Sequence, residues 1–87
     1  MEEALDLEDR WREILDFERG WWKSPTTKAV AVRDRFGFSP ARYYQLLNRV
    51  IDRPEAITYD PMLVLRLRRL RAARRRKRFT QRLGLEG

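Results

Sequence analysis

A dense group of basic side chains lies near the end of the 87-residue sequence. Residues 66–82 hold nine arginines, one lysine and no acidic residue. A guanidinium group is planar and donates paired hydrogen bonds that match phosphate oxygens, and like charges on one helix repel each other until an anion lies among them. We therefore predict that phosphate groups bind this segment. The basic residues concerned are Arg66, Arg68, Arg69, Arg71, Arg74, Arg75, Arg76, Lys77, Arg78 and Arg82.

Charge is unevenly divided along the chain, which carries a net charge of +7. Residues 1–18 hold eight acidic and two basic side chains, whereas residues 19–87 hold eighteen basic and five acidic ones. This asymmetry is typical of proteins with a polyanionic partner. Nucleic acid is the favoured partner. An anionic membrane, an acidic protein and a surface charged only for solubility are the alternatives.

The sequence lacks the side chains on which most enzymes and metal sites depend. Histidine and cysteine are absent, and the four glycines are too far apart to form a phosphate-binding loop. The acidic residues near the start follow the exposed face of a predicted helix, and we interpret them as a solvated face. They are Asp6, Glu8, Asp9, Glu13, Asp16 and Glu18. We predict no enzyme activity, no cofactor and no metal ion.

The composition, 43% hydrophobic and 38% charged residues, is that of a globular protein. No apolar run approaches the roughly 20 residues that cross a bilayer. The acidic start, Met1-Glu2-Glu3, differs from a secretory signal, which begins with basic residues. We predict a cytoplasmic location, in the nucleoid if the partner is DNA.

Capping residues and prolines divide the chain into predicted helices. Asp6 is the predicted N-cap of a first helix over 7–22, with Glu8 and Asp9 in its first turn and Gly20 as a weak point. Three pairs, each of a capping residue followed by proline, predict the next helices: Ser24-Pro25 for 25–36, Ser39-Pro40 for 40–51, and Asp60-Pro61 for a helix from 61 past 78. The connector 55–59 is expected to hold one helical turn.

Helical spacing of apolar residues predicts the core. The predicted core residues are Leu7, Trp11, Ile14, Leu15, Trp21, Ala29, Val32, Phe36, Tyr43, Leu46, Leu47, Val50, Leu63, Val64, Leu67 and Leu70. Trp22 is expected to be half exposed. Beyond Ala73 the last helix has no apolar seam, so we predict that it frays there until an anion binds.

Two helices joined by a tight turn that contains a glycine are typical of a helix-turn-helix. The turn Phe36-Gly37-Phe38-Ser39 joins the second and third predicted helices, and both phenylalanines are expected to point between them. Arg33 stands where this motif usually has a small residue, which predicts a wider helix crossing. We predict a helix-turn-helix over 25–51.

The third helix of such a motif enters the major groove with its N-terminal part. Its predicted contacts are Ser39 to phosphate, Arg42 to guanine, Gln45 to adenine, Tyr44 to sugar or phosphate, and Arg49. Two alternatives stay open: Tyr44 packs on the fourth helix, and the arginines contact only phosphate or nothing.

The predicted fold is all-α, a small bundle of about four helices with a central helix-turn-helix and a long basic C-terminal helix. A helical domain is expected over 1–60. The arginine-rich helix, 61–83, is expected to pack on it by its N-terminal half, and 84–87 form a disordered end.

Several sequence stretches together resemble a family of short actinobacterial proteins catalogued as a domain of unknown function. The stretches are ILDFERGWWK (14–23), FGFS (36–39), RYYQLLN (42–48), IDRPEA (51–56) and DPMLV (60–64). The resemblance covers about residues 12–75 and implies an actinobacterial source and a basic C-terminal end. The helix-turn-helix stretch is also similar to the promoter-recognising fourth region of sigma factors.

These patterns favour a DNA-binding protein, either an architectural factor of the nucleoid or a transcription regulator. A protein-binding adaptor of the transcription machinery and an RNA- or ribosome-associated protein are the alternatives. Double-stranded DNA is the predicted partner, and no membrane is expected. The acidic first helix also predicts screening of the basic helix, within one chain or between subunits of a head-to-tail homodimer or larger assembly.

Overall fold

Five α-helices follow one another in a computed structural model that describes residues 2–84, with side chains for residues 10–82 and Gly84. They are α1 (Glu2–Gly20), α2 (Lys28–Phe36), α3 (Pro40–Ile51), α4 (Pro54–Tyr59) and α5 (Pro61–Leu83). A 3-10 turn, Trp21–Lys23, follows α1. The all-α prediction is confirmed, since residues 2–84 contain no strand. The predicted disordered end lies outside the described residues except for Gly84, which caps α5 with φ of 70°.

The first helix differs from its prediction at both ends. It already includes Glu2, so Asp6 lies inside α1 and is not its N-cap. The reason is that the residues before Asp6 are mostly good helix formers, and a continuous helix satisfies their backbone. At Gly20 the backbone leaves the α conformation, with φ of −131°, and Trp21 and Trp22 belong to the 3-10 turn. The predicted core position of Leu7 lies outside the described side chains.

The start of α2 is a second correction. The helix begins at Lys28, because the Thr27 hydroxyl accepts a hydrogen bond from the Val30 amide at 3.3 Å and so caps it. Ser24 instead bonds to the Thr26 hydroxyl at 3.1 Å, within the turn that precedes the helix. This shorter helix turns Ala29 outward, against the prediction.

The turn between α2 and α3 follows the prediction. Gly37 adopts the left-handed conformation with φ of 77°, which a residue with a side chain rarely adopts, and its amide donates to the Arg33 carbonyl. Ser39 caps α3, whose predicted bounds, 40–51, are confirmed. The rings of Phe36 and Phe38 stack 5.6 Å apart between the helices, with Phe36 buried and Phe38 partly buried.

The core lies where α1, α2, α3, α4 and the start of α5 meet. Most of the predicted apolar residues, including Tyr43, are buried there, and so are Ile51 and Ala56, which were not predicted. Rings from three elements meet edge to face, since Phe17 lies 5.5 Å from Phe36 and 5.7 Å from Tyr43. Aromatic pairs in this geometry add to the free energy of apolar burial.

Only the first half of α5 belongs to the core. Asp60 caps the helix, because its Oδ1 accepts a hydrogen bond from the Leu63 amide. Leu63 and Val64 are buried and Leu67 is partly buried, but Leu70 is 45% exposed, so the predicted apolar seam ends earlier than expected. From residue 72 to residue 79 every side chain is exposed, although the helix continues to Leu83. Fraying of this part in the absence of an anion stays a prediction.

Candidate nucleic-acid interface

The basic side chains of α5 divide into two groups in the structure. Eight of the ten are exposed and form no ion pair with any described side chain. Arginine favours the helical conformation, and the helix carries these residues around its circumference. The result is a rod of unpaired cations, hereafter the basic rod. Its residues are Arg66, Arg69, Arg74, Arg75, Arg76, Lys77, Arg78 and Arg82.

The other two arginines, Arg68 and Arg71, have partners within the chain, and their phosphate contacts stay a prediction. Arg68 donates to the Ile51 carbonyl at 2.6 Å, and Arg71 donates to both carboxylate oxygens of Asp52, at 2.7 and 3.2 Å. The Arg71 guanidinium also reaches the Asn48 carbonyl at 3.4 Å. These contacts satisfy carbonyls at the C-terminus of α3, where the helix dipole favours a cation.

The pairing of Arg71 with Asp52 also lowers the pKa of the Asp52 carboxyl group. The hydrogen bonds from Arg71 hold the pKa of Asp52 below its usual range, and the nearby charges of Arg71 and Arg68 act in the same direction. Both arginines are only partly exposed. We conclude that they join α5 to the C-terminal end of α3.

Side chains at the start of α3 are less free than the sequence analysis assumed. The Ser39 hydroxyl accepts a hydrogen bond from the Arg42 amide at 3.2 Å, as an N-cap does. Arg42 is partly buried, and its guanidinium donates to the Gln45 side-chain oxygen at 3.3 Å. Arg49 is exposed on the same helix and forms no ion pair with the described side chains. Base contacts by these residues stay a prediction.

Tyr44 lies at the edge of α3 that faces α5. Its ring contacts the Tyr43 ring edge to face at 5.5 Å, and the side chain is 37% exposed. The Lys28 ammonium lies 5.0 Å from the centre of the Tyr44 ring and 5.3 Å from that of Trp21. Tyr44 thus combines a fixed orientation with an accessible ring, beside the groove that separates α3 from the outer part of α5.

A buried carboxylate beneath this ring cluster was missed by the sequence analysis. Glu18 is only 4% exposed, which corrects the prediction that it belongs to a solvated face. It accepts a hydrogen bond from the Tyr43 hydroxyl and pairs with the Lys28 ammonium at 2.9 Å. A buried carboxylate is retained only with such partners, because desolvation of an isolated charge is very costly. One available signal is the helical spacing of Glu18 from Ile14 and Leu15, which places it beside the apolar face.

The groove between α3, the 3-10 turn and α5 has a volume of about 580 Å³. Aromatic and aliphatic side chains and basic side chains of α5 line it together. Trp21 lines it and is partly exposed, so its predicted place in the core is wrong, whereas Trp22 is 62% exposed. We call this feature the aromatic-basic groove. Its lining includes Trp21, Trp22, Tyr44, Leu47, Leu67, Leu70, Arg66, Arg74, Lys77 and Arg78.

No helix among residues 2–84 is both long enough and apolar enough to cross a membrane. A family model described as "Protein of unknown function (DUF3263)" matches residues 6–79. This match confirms the resemblance to a family of unknown function. No curated protein and no solved structure matches the chain. The likeness to the fourth region of sigma factors stays a prediction.

Proposed function

We propose that this chain, which belongs to the DUF3263 family of proteins of unknown function, binds DNA through the phosphate backbone. The observation that carries the proposal is the basic rod, a helix with eight exposed basic side chains that form no ion pair with any described acidic residue. Such a concentration of charge is unfavourable on an isolated surface. It becomes favourable when phosphates displace condensed counterions.

The intramolecular role of Arg68 and Arg71 supports this proposal. The arginines of α5 that the fold needs have partners at the C-terminal end of α3 and at Asp52 directly after it, at distances of 2.6 to 3.4 Å. Six of the eight remaining cations lie beyond the core, in the second half of α5, and the other two, Arg66 and Arg69, are exposed on its first half. Their presence therefore has no explanation in the contacts of the described chain, and a polyanion supplies one.

The geometry favours backbone contacts over base reading as the main source of affinity. Phosphate contacts position a protein on DNA but carry no sequence information. Arg42 and Gln45, the two predicted base readers, already bond to each other at 3.3 Å. We infer an architectural factor of the nucleoid, with transcription regulation as the narrower role if α3 also reads bases.

A salt titration of DNA binding tests the proposal. A duplex of random sequence should bind in dilute buffer, and log affinity should fall against log salt with a slope of about −5 if about six phosphates are contacted. Changing Arg74, Arg75 and Arg76 to glutamine should make the slope less steep by up to about 3, since each lost contact removes about 0.9.

A matched triple substitution controls for the loss of net charge. Arg12, Arg33 and Arg35 are exposed basic residues of α1 and α2, away from the basic rod. Changing these three to glutamine removes the same charge and should leave the salt slope nearly unchanged. Equal effects of the two triple variants would contradict the assignment to α5, and no duplex binding in dilute buffer would contradict DNA binding itself.

A further inference from the structure

We propose that the aromatic-basic groove holds unpaired bases of single-stranded DNA. This inference rests on the proposed function and names the form of DNA that the groove takes. Proteins that bind single strands combine a positively charged groove, which follows the backbone, with aromatic side chains on which bases stack. The groove brings both features together in one place.

The groove keeps a net positive charge after the ion pairs within the chain are taken into account. Its lining also contains Lys28 and Arg71, but Glu18 neutralises the first and Asp52 the second. Four cations remain without an acidic partner among the described side chains: Arg66, Arg74, Lys77 and Arg78. Arg74, Lys77 and Arg78 lie on adjacent turns of α5, and Arg66 lies about two turns before them. Together they form a row beside the groove that an extended phosphate backbone can follow.

The aromatic walls are both exposed and oriented. The Trp22 indole donates its N–H to the Arg19 carbonyl at 3.0 Å, which fixes the ring plane while the side chain stays 62% exposed. Tyr44 is held from behind by the buried Tyr43 ring. A ring that is already oriented loses little conformational entropy when a base stacks on it. The volume of the groove, about 580 Å³, lies within the range of small-ligand sites.

The same groove has features that an acidic peptide with an apolar stripe would also match. Guanidinium groups in a row, next to exposed ring faces, favour the polynucleotide, because it repeats phosphate and flat base at every unit. A duplex keeps its bases stacked inside and presents only phosphate to the groove. The proposal therefore predicts a preference for a single strand with bases over an abasic strand of equal charge, which electrostatic attraction alone does not produce.

Oligonucleotides with and without bases test the proposal on the full chain. The probes are a short oligothymidylate, a strand of equal length whose sugars carry no bases, and a duplex of equal length. Fluorescence anisotropy should show that oligothymidylate binds about 5- to 100-fold more tightly than the abasic strand, the contribution expected from stacking of about one base.

Substitutions then locate the contact. Trp22→Ala should abolish the preference for oligothymidylate over the abasic strand, and Trp22→Phe should keep most of it. Phe79→Ala is the matched control, because Phe79 is exposed to a similar degree, 57%, and does not line the groove. Circular dichroism should show unchanged helix content in all three variants.

The outcomes separate this inference from the proposed function. If oligothymidylate and the abasic strand bind equally and with a steep salt dependence, the inference is wrong and backbone binding stands. If none of the probes binds, both are wrong. If a glutamate-rich peptide with an apolar stripe displaces the oligonucleotide, and Trp22→Ala weakens only the peptide, the groove is a peptide site and the inference is again wrong.

Discussion

The buried Glu18 carboxylate illustrates how one residue constrains its surroundings. Its oxygens lie beside the Tyr43 hydroxyl and the Lys28 ammonium, and both partners also belong to the ring cluster beneath the groove. Burial, followed by the adjacent Glu18 charge and hydrogen bond, raises the pKa of the Tyr43 hydroxyl well above its ordinary value of 10.0. The hydroxyl therefore keeps its proton and remains a hydrogen-bond donor to the carboxylate.

We predict that Tyr43→Phe lowers the free energy of unfolding by about 1–3 kcal/mol, because it removes one of the two partners of a buried carboxylate. Denaturant unfolding at neutral pH measures the change. Tyr44→Phe removes a hydroxyl from the neighbouring, exposed ring and should change stability by less than about 0.5 kcal/mol. Equal losses in the two variants would mean that the Glu18 contact is not stabilising.

The raised pKa of Tyr43 predicts that the free energy of unfolding depends on pH in the alkaline range. In the unfolded chain the Tyr43 hydroxyl ionises near its ordinary pKa of 10.0, whereas in the folded chain its raised pKa keeps it protonated. The folded state then binds more protons, so its stability falls as the pH rises above about 10. Unfolding free energies at neutral and alkaline pH should show a smaller decline in Tyr43→Phe than in the unchanged chain. An identical decline would exclude Tyr43 as the source.

At the scale of the helices, capping chemistry explains both the successes and the failure of the sequence prediction. Ser39-Pro40 and Asp60-Pro61 begin helices as expected, because each capping oxygen reaches an amide two residues after the proline. Ser24-Pro25 has the same chemistry, but Thr27, three residues later, is the residue that caps α2. Local sequence offers two capping residues here, and in the folded chain the Ser24 hydroxyl bonds within the preceding turn, so Thr27 is the one that caps the helix.

We predict that Thr27→Ala lowers the free energy of unfolding by about 1 kcal/mol, the usual contribution of an N-cap side chain. Ser24→Ala is the control, because the Ser24 hydroxyl bonds only within the preceding turn, and its loss should have a smaller effect. Thermal or denaturant unfolding compares the two variants. A larger loss for Ser24→Ala would restore the helix start that the sequence alone suggested.

The candidate site was predictable only in part, for a related reason. The number of cations on α5 follows directly from the sequence, and most of them are exposed as expected. Which of them are used within the fold depends on where α5 approaches the end of α3, a contact between residues about twenty positions apart. The groove could not be predicted from local sequence either, because segments that are distant in the sequence form its lining.

We predict opposite effects for two adjacent arginines of α5. Arg68→Met keeps the aliphatic stem but removes the hydrogen bond to the Ile51 carbonyl, so stability should fall by about 1–2 kcal/mol while DNA affinity changes little. Arg69→Met removes an exposed cation of the basic rod, so DNA affinity should fall while stability changes by less than about 0.5 kcal/mol. Unfolding and salt-dependent binding assays measure both. The opposite pattern would exchange the two roles.

For the molecule as a whole, the described acidic residues of α1 have partners away from the basic rod. Glu13 pairs with Arg35, Asp16 with Arg19, and Glu18 with Lys28. Screening of the basic rod within one chain therefore has no support among residues 10–18. The other acidic residues of α1 lie within residues 2–9, whose side chains are outside the described part.

The head-to-tail assembly stays a prediction at this scale. Sedimentation should show self-association in dilute buffer that disappears in high salt, because exposed charges attract each other less when they are screened. Changing Arg74, Arg75 and Arg76 to glutamine should weaken the association. A monomer at every salt concentration would exclude the assembly.

The outer half of α5, residues 72–79, should be the least stable part of the helix when no ligand is bound. Residues 72–79 contact no core, so only the backbone hydrogen bonds of the helix itself hold them in place. Local opening of such a segment requires little free energy. Its amide protons should exchange with deuterated water sooner than those of α3, and trypsin, which cleaves after arginine and lysine, should remove this end first. A bound polyanion should slow both reactions, leaving a footprint along this helix.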